Sequence, residues 1–134
     1  MKPVFADTSF YVALVNKADT HHRDALAWSR DNTRRFVLTE FILLLELGNT
    51  LSPRGARDLF VDLVHHLRVD PANKVIPVSH ALFAEGFALF EQRPDKEWSL
   101  TDCISFLVMK RERITEALTV DAHFGQAGFA VLLR

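Results

Sequence analysis

The chain has 134 residues, of which 49% are hydrophobic and 25% are charged, as is typical of a globular protein with one sizeable core. The net charge of −1 excludes a strongly basic protein, so any nucleic-acid binding must depend on a local patch. No apolar run approaches the ~20 residues that cross a bilayer, and the first residues lack the long apolar region of a signal peptide. The single cysteine, Cys103, excludes an intrachain disulfide and a cysteine-rich zinc site, and we expect a cytoplasmic protein without a membrane partner.

The first half of the chain alternates between apolar strands and helices. Residues 3–6 (PVFA) predict a buried strand, which the polar triplet at 7–9 ends at the start of a helix. A second helix is predicted over 18–32, and residues 36–39 (FVLT) predict a second buried strand. Residues 40–51 are apolar almost all round and therefore predict a buried helix.

The second half continues the alternation with three more helices and three short strands. Pro77 has no N–H to donate within a sheet, so its strand is expected at an edge. Because strands and helices alternate throughout, we predict a single α/β domain over 1–134, with four to five short parallel strands and helices on both faces. The predicted helices cover 54–69, 79–93 and a segment from Ser99, and the predicted strands cover 75–78, 117–120 and 130–134.

Two carboxylates directly follow predicted strands, Asp7 after the first and Asp121 after the penultimate one. In parallel sheets the carboxyl ends of the strands share one rim, where ligands bind. Asp102 lies at the start of a helix whose N-terminus belongs to the same rim. Glu46 is an acid in an otherwise apolar helix, and a buried carboxylate usually has a cation or a hydrogen-bond donor as partner. We therefore predict one cluster of four carboxylates.

A group of like charges raises the pKa of each member unless something positive lies between them. No lysine or arginine is adjacent in sequence to Asp7, Asp102 or Asp121. A hard divalent cation would neutralise the cluster, and Mg²⁺ is often held by one or two carboxylates together with a phosphate of the substrate. The chemistry implied is metal-dependent hydrolysis of a phosphodiester.

Each acid also has a structural interpretation. Asp7 fits a helix N-cap, and Asp121 fits a cap of the short turn that follows it. Asp102 fits a capping box with Ser99. Glu40, which ends the strand at 36–39, competes with Glu46 as the acid of this region. The histidine pairs at 21–22 and 65–66 are interpreted as surface residues, because adjacent positions on a helix point in different directions.

Three segments resemble the PIN domain family, in particular its small single-domain ribonucleases of the VapC-like toxin type. The segments are VFADTSFYVALV, TEFILLLELGNTL and SLTDCISFLVMKRERITEALTVDAHFGQAGF, which lie at the start, in the middle and near the end of the chain, so the match runs along essentially its whole length. The resemblance implies a PIN-like α/β/α fold and an endoribonuclease that depends on Mg²⁺ or Mn²⁺. It implies a catalytic, metal-binding site of Asp7, Glu46, Asp102 and Asp121, with the Thr8 hydroxyl supporting Asp7. It also implies an RNA substrate, a homodimer and a cognate antitoxin.

Other functions fit the pattern less well. A haloacid-dehalogenase-like enzyme would have a D-x-D motif after the first strand, where this chain has Asp7-Thr8-Ser9. A receiver-like domain would have paired acids there and a lysine near the end of the last strand. A non-toxin PIN-fold protein for RNA processing or RNA binding remains the alternative, as does a binding module whose carboxylates are purely structural.

Overall fold

The computed structural model describes residues 2–31 and 33–133. Its strands are β1 (Val4–Ala6), β2 (Phe36–Thr39), β3 (Asn73–Ile76), β4 (Glu116–Leu118) and β5 (Ala130–Val131). They form a single parallel sheet in the order β3-β2-β1-β4-β5, which confirms the predicted α/β class. The ends of the predicted elements at residues 32 and 134 lie outside the described residues.

Helices connect the strands on both faces of the sheet. The chain moves outward from β1 to β3 and then crosses to β4 and β5 on the other side. Right-handed crossovers in these two directions place the earlier helices on one face and the later ones on the other. None of the helices in the described parts of the chain has the length and apolarity needed to span a bilayer. The helices are α1 (Thr8–Val15), α2 (His22–Arg30), a π-helical segment (Phe41–Glu46) that continues into α3 (Leu47–Thr50), α4 (Arg57–Val69), α5 (His80–Gln92), α6 (Leu100–Arg111) and α7 (Ala122–Gln126).

The edge position predicted for the proline-containing strand is confirmed, although the strand begins and ends two residues earlier. β3 pairs with β2 over its full length, from Asn73 opposite Phe36 to Ile76 opposite Thr39. Pro77 therefore lies beyond the last residue of the partner strand, where its missing N–H costs no sheet hydrogen bond.

The helix predicted to be buried over 40–51 is only partly buried. Ile42, Leu43 and Leu47 are completely buried, whereas the side chains of Leu44 and Leu45 are 43% and 48% exposed. The prediction of burial all round is therefore wrong on one side. The local conformation also differs, because the first six residues are π-helical rather than α-helical.

Close packing of α5 on α6 sets the position of the helix that begins near Asp102. A Cβ atom built on Gly86 of α5 would lie 2.4 Å from Cγ1 of Ile104 on α6. Ile104 is completely buried, so it has little room to move aside. The absence of a side chain at Gly86 lets the two helices approach this closely.

We expect Gly86→Val to lower the free energy of unfolding by about 2 kcal/mol or more, because an overpacked core must displace buried side chains. Urea unfolding measures this difference. Gly55→Val is the matched control, since no atom lies within 4 Å of a Cβ built there. Equal stability of the two variants would contradict the close packing of α5 on α6.

Candidate active site

The central strands bring the first and last parts of the candidate site together. β1 pairs with β4, and the backbone N–H of Asp7 continues the ladder by donating to the carbonyl of Leu118 at 3.1 Å. Asp7 then occupies the N-cap position of α1, and Asp121 the N-cap position of α7. Both acids therefore lie at the carboxyl ends of neighbouring parallel strands, as the sequence predicts.

The Asp7 carboxylate is directed at the end of β4 rather than at its own helix. It makes no hydrogen bond of the N-cap type to the first turn of α1. Its Oδ2 atom instead accepts a hydrogen bond from the Thr119 hydroxyl at 2.8 Å and a longer one from the Ser9 hydroxyl at 3.4 Å. The side chain is only 8% exposed. Helix capping therefore does not account for this carboxylate.

Burial raises the pKa of Asp7 to about 6, because the charged form loses hydration. The hydrogen bond from Thr119 and the backbone N–H of Thr8 lower the pKa, whereas the nearby charges of Asp102 and Asp121 raise it further. Ionised Asp7 therefore lowers the free energy of unfolding of the free protein. Such a buried carboxylate is typical of a site that binds a positively charged ligand.

Two hydroxyl groups hold the backbone that leads from β4 to Asp121. Thr119 is completely buried, and its Oγ1 accepts a hydrogen bond from the Asp121 N–H at 3.0 Å while donating to Asp7. The Ser9 hydroxyl accepts from the Val120 N–H at 3.2 Å. These bonds replace sheet pairing, so β4 ends at Leu118, two residues earlier than predicted.

The hydroxyl support expected from Thr8 is supplied by other residues. Among the described residues, the hydroxyls that donate to Asp7 belong to Thr119 and Ser9, and the contribution of Thr8 is its backbone N–H. The sequence contains Ser9 in its D-T-S triplet and Thr119 in its L-T-V-D segment, but nothing local in either segment indicates that they meet.

Asp102 forms the predicted capping box and also faces the candidate site. Its backbone N–H donates to the Ser99 hydroxyl and its Oδ2 accepts from the Ser99 N–H, both at 3.0 Å, so the predicted capping box is present. The same Oδ2 atom lies 3.1 Å from Nδ1 of His123. The side chain is 13% exposed and faces the rim that carries Asp7 and Asp121.

His123 joins two of the acids and was not among the residues selected from the sequence. Its Nδ1 lies 3.1 Å from Asp102 Oδ2 and 3.3 Å from Asp121 Oδ1, and its backbone N–H donates to Asp121 at 2.9 Å. One ligand atom from each of the three residues lies within 4.8 Å of the other two. The ring is carried by the short helix α7, a segment that the sequence analysis interpreted as a turn.

Aromatic packing holds α7 against the sheet and so positions His123. Phe124, the next residue, is completely buried. Its ring lies 5.0 Å from that of Phe106 on α6 and 6.1 Å from that of Phe5 on β1, measured between ring centroids. The helix that presents His123 is thus fixed to both the sheet and α6.

Glu46 lines the same cavity as Asp7, Asp102 and Asp121 but is not among the acids whose charges act on Asp7. It makes no hydrogen bond among the described residues, and the charges that raise the pKa of Asp7 are those of Asp102 and Asp121. Glu40 has a structural partner instead, since its Oε1 accepts a hydrogen bond from the Val78 N–H at 2.6 Å. Of the two glutamates, Glu46 is the one that lines the cavity.

A cavity of about 650 Å³ opens above these groups. Its described lining residues include six carboxylates and two imidazoles, without a lysine or an arginine. This oxygen-rich donor set with one adjacent imidazole fits a hard divalent cation such as Mg²⁺ or Mn²⁺. The ionisable lining residues are Asp7, Asp19, His21, Glu46, Glu97, Asp102, Asp121 and His123.

Comparison with known proteins gives consistent results. The PIN domain family model matches residues 4–130. A protein described as 23S rRNA-specific endonuclease VapC20, from two strains of Mycobacterium tuberculosis, is 29% identical over 127 residues, which cover 94% of this chain and 95% of the relative. The crystal structure of the M. tuberculosis VapC20 protein, described as a sarcin-ricin loop cleaving toxin, matches with a TM-score of 0.87 at 25% identity, covering 98% and 99% of the two chains. FitAcB from Neisseria gonorrhoeae shares the fold, with a TM-score of 0.65 at 18% identity over 98% of this chain and 96% of its own.

We expect Asp7→Asn to stabilise the metal-free protein near neutral pH but not in acid. With its folded-state pKa at about 6, above the ordinary 3.8, Asp7 makes the protein less stable as the pH rises from about 4 to 6. Asparagine has no such titration, so its advantage should grow by about 3 kcal/mol across this interval.

Urea unfolding in a chelating buffer between pH 4 and 7.5 measures this effect. Asp58→Asn, at an exposed position on α4, is the matched control for removing one carboxylate. Parallel stability curves for Asp7→Asn and wild type over this pH range would show that burial of Asp7 is not costly.

Proposed function

Because this chain belongs to the PIN domain family, we propose that it is a divalent-metal-dependent endoribonuclease and the toxin of a type II toxin–antitoxin pair. One observation carries the proposal: Asp7, Asp102 and Asp121 meet at the carboxyl ends of the central strands, beside a cavity large enough for a nucleotide. The likeness to a VapC20 endonuclease over nearly the full length of both chains supports it.

We propose that Asp7, Asp102 and Asp121 hold the cation and that Glu46 adds a carboxylate from the cavity wall. Mg²⁺ is the expected ion, with Mn²⁺ as a substitute. A bound divalent cation supplies Lewis-acid polarisation of the phosphodiester. The chain itself contributes preorganisation, since Thr119 and Ser9 fix Asp7 while Ser99 fixes Asp102 before any substrate arrives.

In the free protein, the imidazole of His123 holds Asp102 and Asp121 at a short separation. Two carboxylates at this separation repel each other, and a ring nitrogen between them supplies a hydrogen-bond donor. We infer that His123 maintains the spacing of these acids until the cation binds. His123 is thus assigned a positioning role.

The proposed substrate is structured ribosomal RNA. The VapC20 relative is described as specific for 23S rRNA, and its crystal structure as that of a sarcin-ricin loop cleaving toxin. Since this chain is 29% identical to that relative, the same class of RNA is the first to test. The acidic cavity requires that phosphate binding there be assisted by the cation.

We further propose that the protein acts in the cytoplasm, forms a homodimer and is bound by a cognate antitoxin. An exposed aromatic face on α5 supports a protein partner, because Phe83, Phe87 and Phe90 are each more than 40% exposed and follow one another at helical spacing. Contiguous apolar surface of this kind is commonly covered by another protein. Phe83 also packs against Phe41, which extends the face towards the π-helical segment.

Cleavage of ribosomal RNA tests the proposed activity. Purified protein is incubated with ribosomes, or with a synthetic sarcin-ricin loop RNA, in Mg²⁺, Mn²⁺ or EDTA, and new RNA ends are mapped by primer extension. Wild type should produce discrete ends that EDTA abolishes. Asp7→Asn and Asp102→Asn should each reduce the rate by about a hundredfold or more, the size expected for loss of preorganised charge.

Asp58→Asn again serves as the control, with a rate equal to that of wild type. Failure of wild type to cleave in either metal, or undiminished cleavage by Asp7→Asn, would overturn the proposed activity. RNA binding without cleavage would instead indicate a non-toxin RNA-binding protein of the same fold.

A further inference from the structure

One imidazole in the acidic cavity has no function in the site described above. His123 is engaged by Asp102 and Asp121, whereas His21 lies in the segment between α1 and α2, at the N-cap position of α2. Its neighbour His22 is anchored, with Nδ1 2.8 Å from the carbonyl oxygen of Ala13. His21 is half-buried and lines the acidic cavity, so it lies at the surface as predicted but within the cavity wall.

The Nδ1 atom of His21 is shielded from solvent and has no hydrogen-bond partner among the described residues. Only four side-chain atoms in the described part of the chain share this property. Two of them, on Tyr11 and Asn73, line a different cavity, and the hydroxyl of Ser105 lies in the core. His21 is therefore the one such residue that belongs to the acidic cavity.

The unpaired Nδ1 determines which tautomer suits this position. A neutral imidazole carries one N–H donor and one acceptor nitrogen, and a buried N–H without an acceptor is costly. The tautomer with its proton on Nε2 leaves no unpaired donor inside the protein. Because Nδ1 is covered and His21 lines the cavity, Nε2 is the ring nitrogen left for a contact with a ligand there.

In this acidic cavity, the N–H donor of His21 offers an anionic substrate a favourable contact. Apart from the two histidines, the ionisable residues among its described lining are all carboxylates. A phosphodiester that flanks the scissile group meets repulsion from these carboxylates. An N–H group on the wall formed between α1 and α2 supplies a contact that the acids do not.

We propose that His21 is a substrate-binding residue whose Nε2–H donates a hydrogen bond to a backbone phosphate of the RNA next to the scissile one. The inference rests on the proposed ribonuclease function and specifies how its site holds RNA. Its contribution is to binding, so its loss raises KM and leaves kcat nearly unchanged.

Kinetics on a synthetic sarcin-ricin loop RNA test this contact with variants that distinguish the two ring nitrogens. The Gln amide reaches the position of Nε2, and the Asn amide reaches that of Nδ1. We expect His21→Ala and His21→Asn to raise KM about tenfold, the effect of losing one hydrogen bond to a charged group. His21→Gln should stay within about threefold of wild type, and kcat should change by less than about threefold throughout.

The control is His65→Gln, at an exposed position on α4 outside the cavity, which should match wild type. The melting temperature of each variant is measured to confirm that it folds. If His21→Ala does not fold, the comparison of KM between His21→Asn and His21→Gln still tests the contact. Equal KM for these two variants, or a fall in kcat at unchanged KM, would overturn the proposed contact.

A second arm separates failure of this inference from failure of the ribonuclease function. The same RNA, labelled with fluorescein, is titrated in Mg²⁺ with Asp7→Asn and with the Asp7→Asn, His21→Ala double variant. A Kd about tenfold weaker for the double variant supports the contact even if wild type never cleaves, which would overturn only the proposed activity. Equal affinities overturn the contact.

Discussion

The hydrogen bond from Thr119 to Asp7 is the interaction on which the site depends. It is buried, measures 2.8 Å, and joins residues 112 positions apart in the sequence. It holds the carboxylate at the end of β1 against the end of β4, and the Thr119 oxygen also accepts from the backbone N–H of Asp121. A single hydroxyl therefore sets the relative positions of two acids that the proposed mechanism requires together. Burial at this point is also what keeps the pKa of Asp7 above its ordinary range.

The arrangement is one in which function opposes stability. Three carboxylates share a rim without a lysine or arginine among the described lining residues, and the most buried of them loses hydration when it ionises. A protein selected only for stability would replace one of these acids with a neutral residue. Asp102 differs from Asp7 in this respect, because its capping box stabilises α6. Loss of activity in an Asp102 variant therefore combines loss of a site carboxylate with loss of the helix cap. An Asp7 variant removes a site carboxylate without removing a capping hydrogen bond.

Much of the fold and part of the site could be predicted from the sequence. The alternation of apolar strands with helices indicated the parallel sheet, and the acids after β1 and β4 indicated the rim. These features depend on local pattern and on a general property of α/β sheets. The resemblance to PIN domains added the expected site residues.

The parts that could not be predicted depend on contacts between distant residues. The hydroxyl donors to Asp7 are Thr119 and Ser9 rather than Thr8. Predicting them would require knowing that residues 9 and 119 lie in contact. The position of the His123 ring depends on α7 and on Phe124 packing against two other elements. The π-helical winding of the segment that carries Glu46 is likewise not revealed by the apolar pattern.

The π-helical segment Phe41–Glu46 has a consequence for how this cavity wall can vary. A π-helix is wound more widely than an α-helix, and each such turn holds about one extra residue, by the difference between i→i+5 and i→i+4 bonding. Removing one residue from this turn would restore regular winding without changing α3. Glu46 is the last residue of the π-helical segment, so the deletion would leave its connection to α3 unchanged. The exposed leucines that precede it would rotate about the helix axis by roughly 100°. Insertion or deletion at this point would thus turn a different face of the segment outward while Glu46 keeps its place, so the protein's outer surface and its cavity wall can change separately.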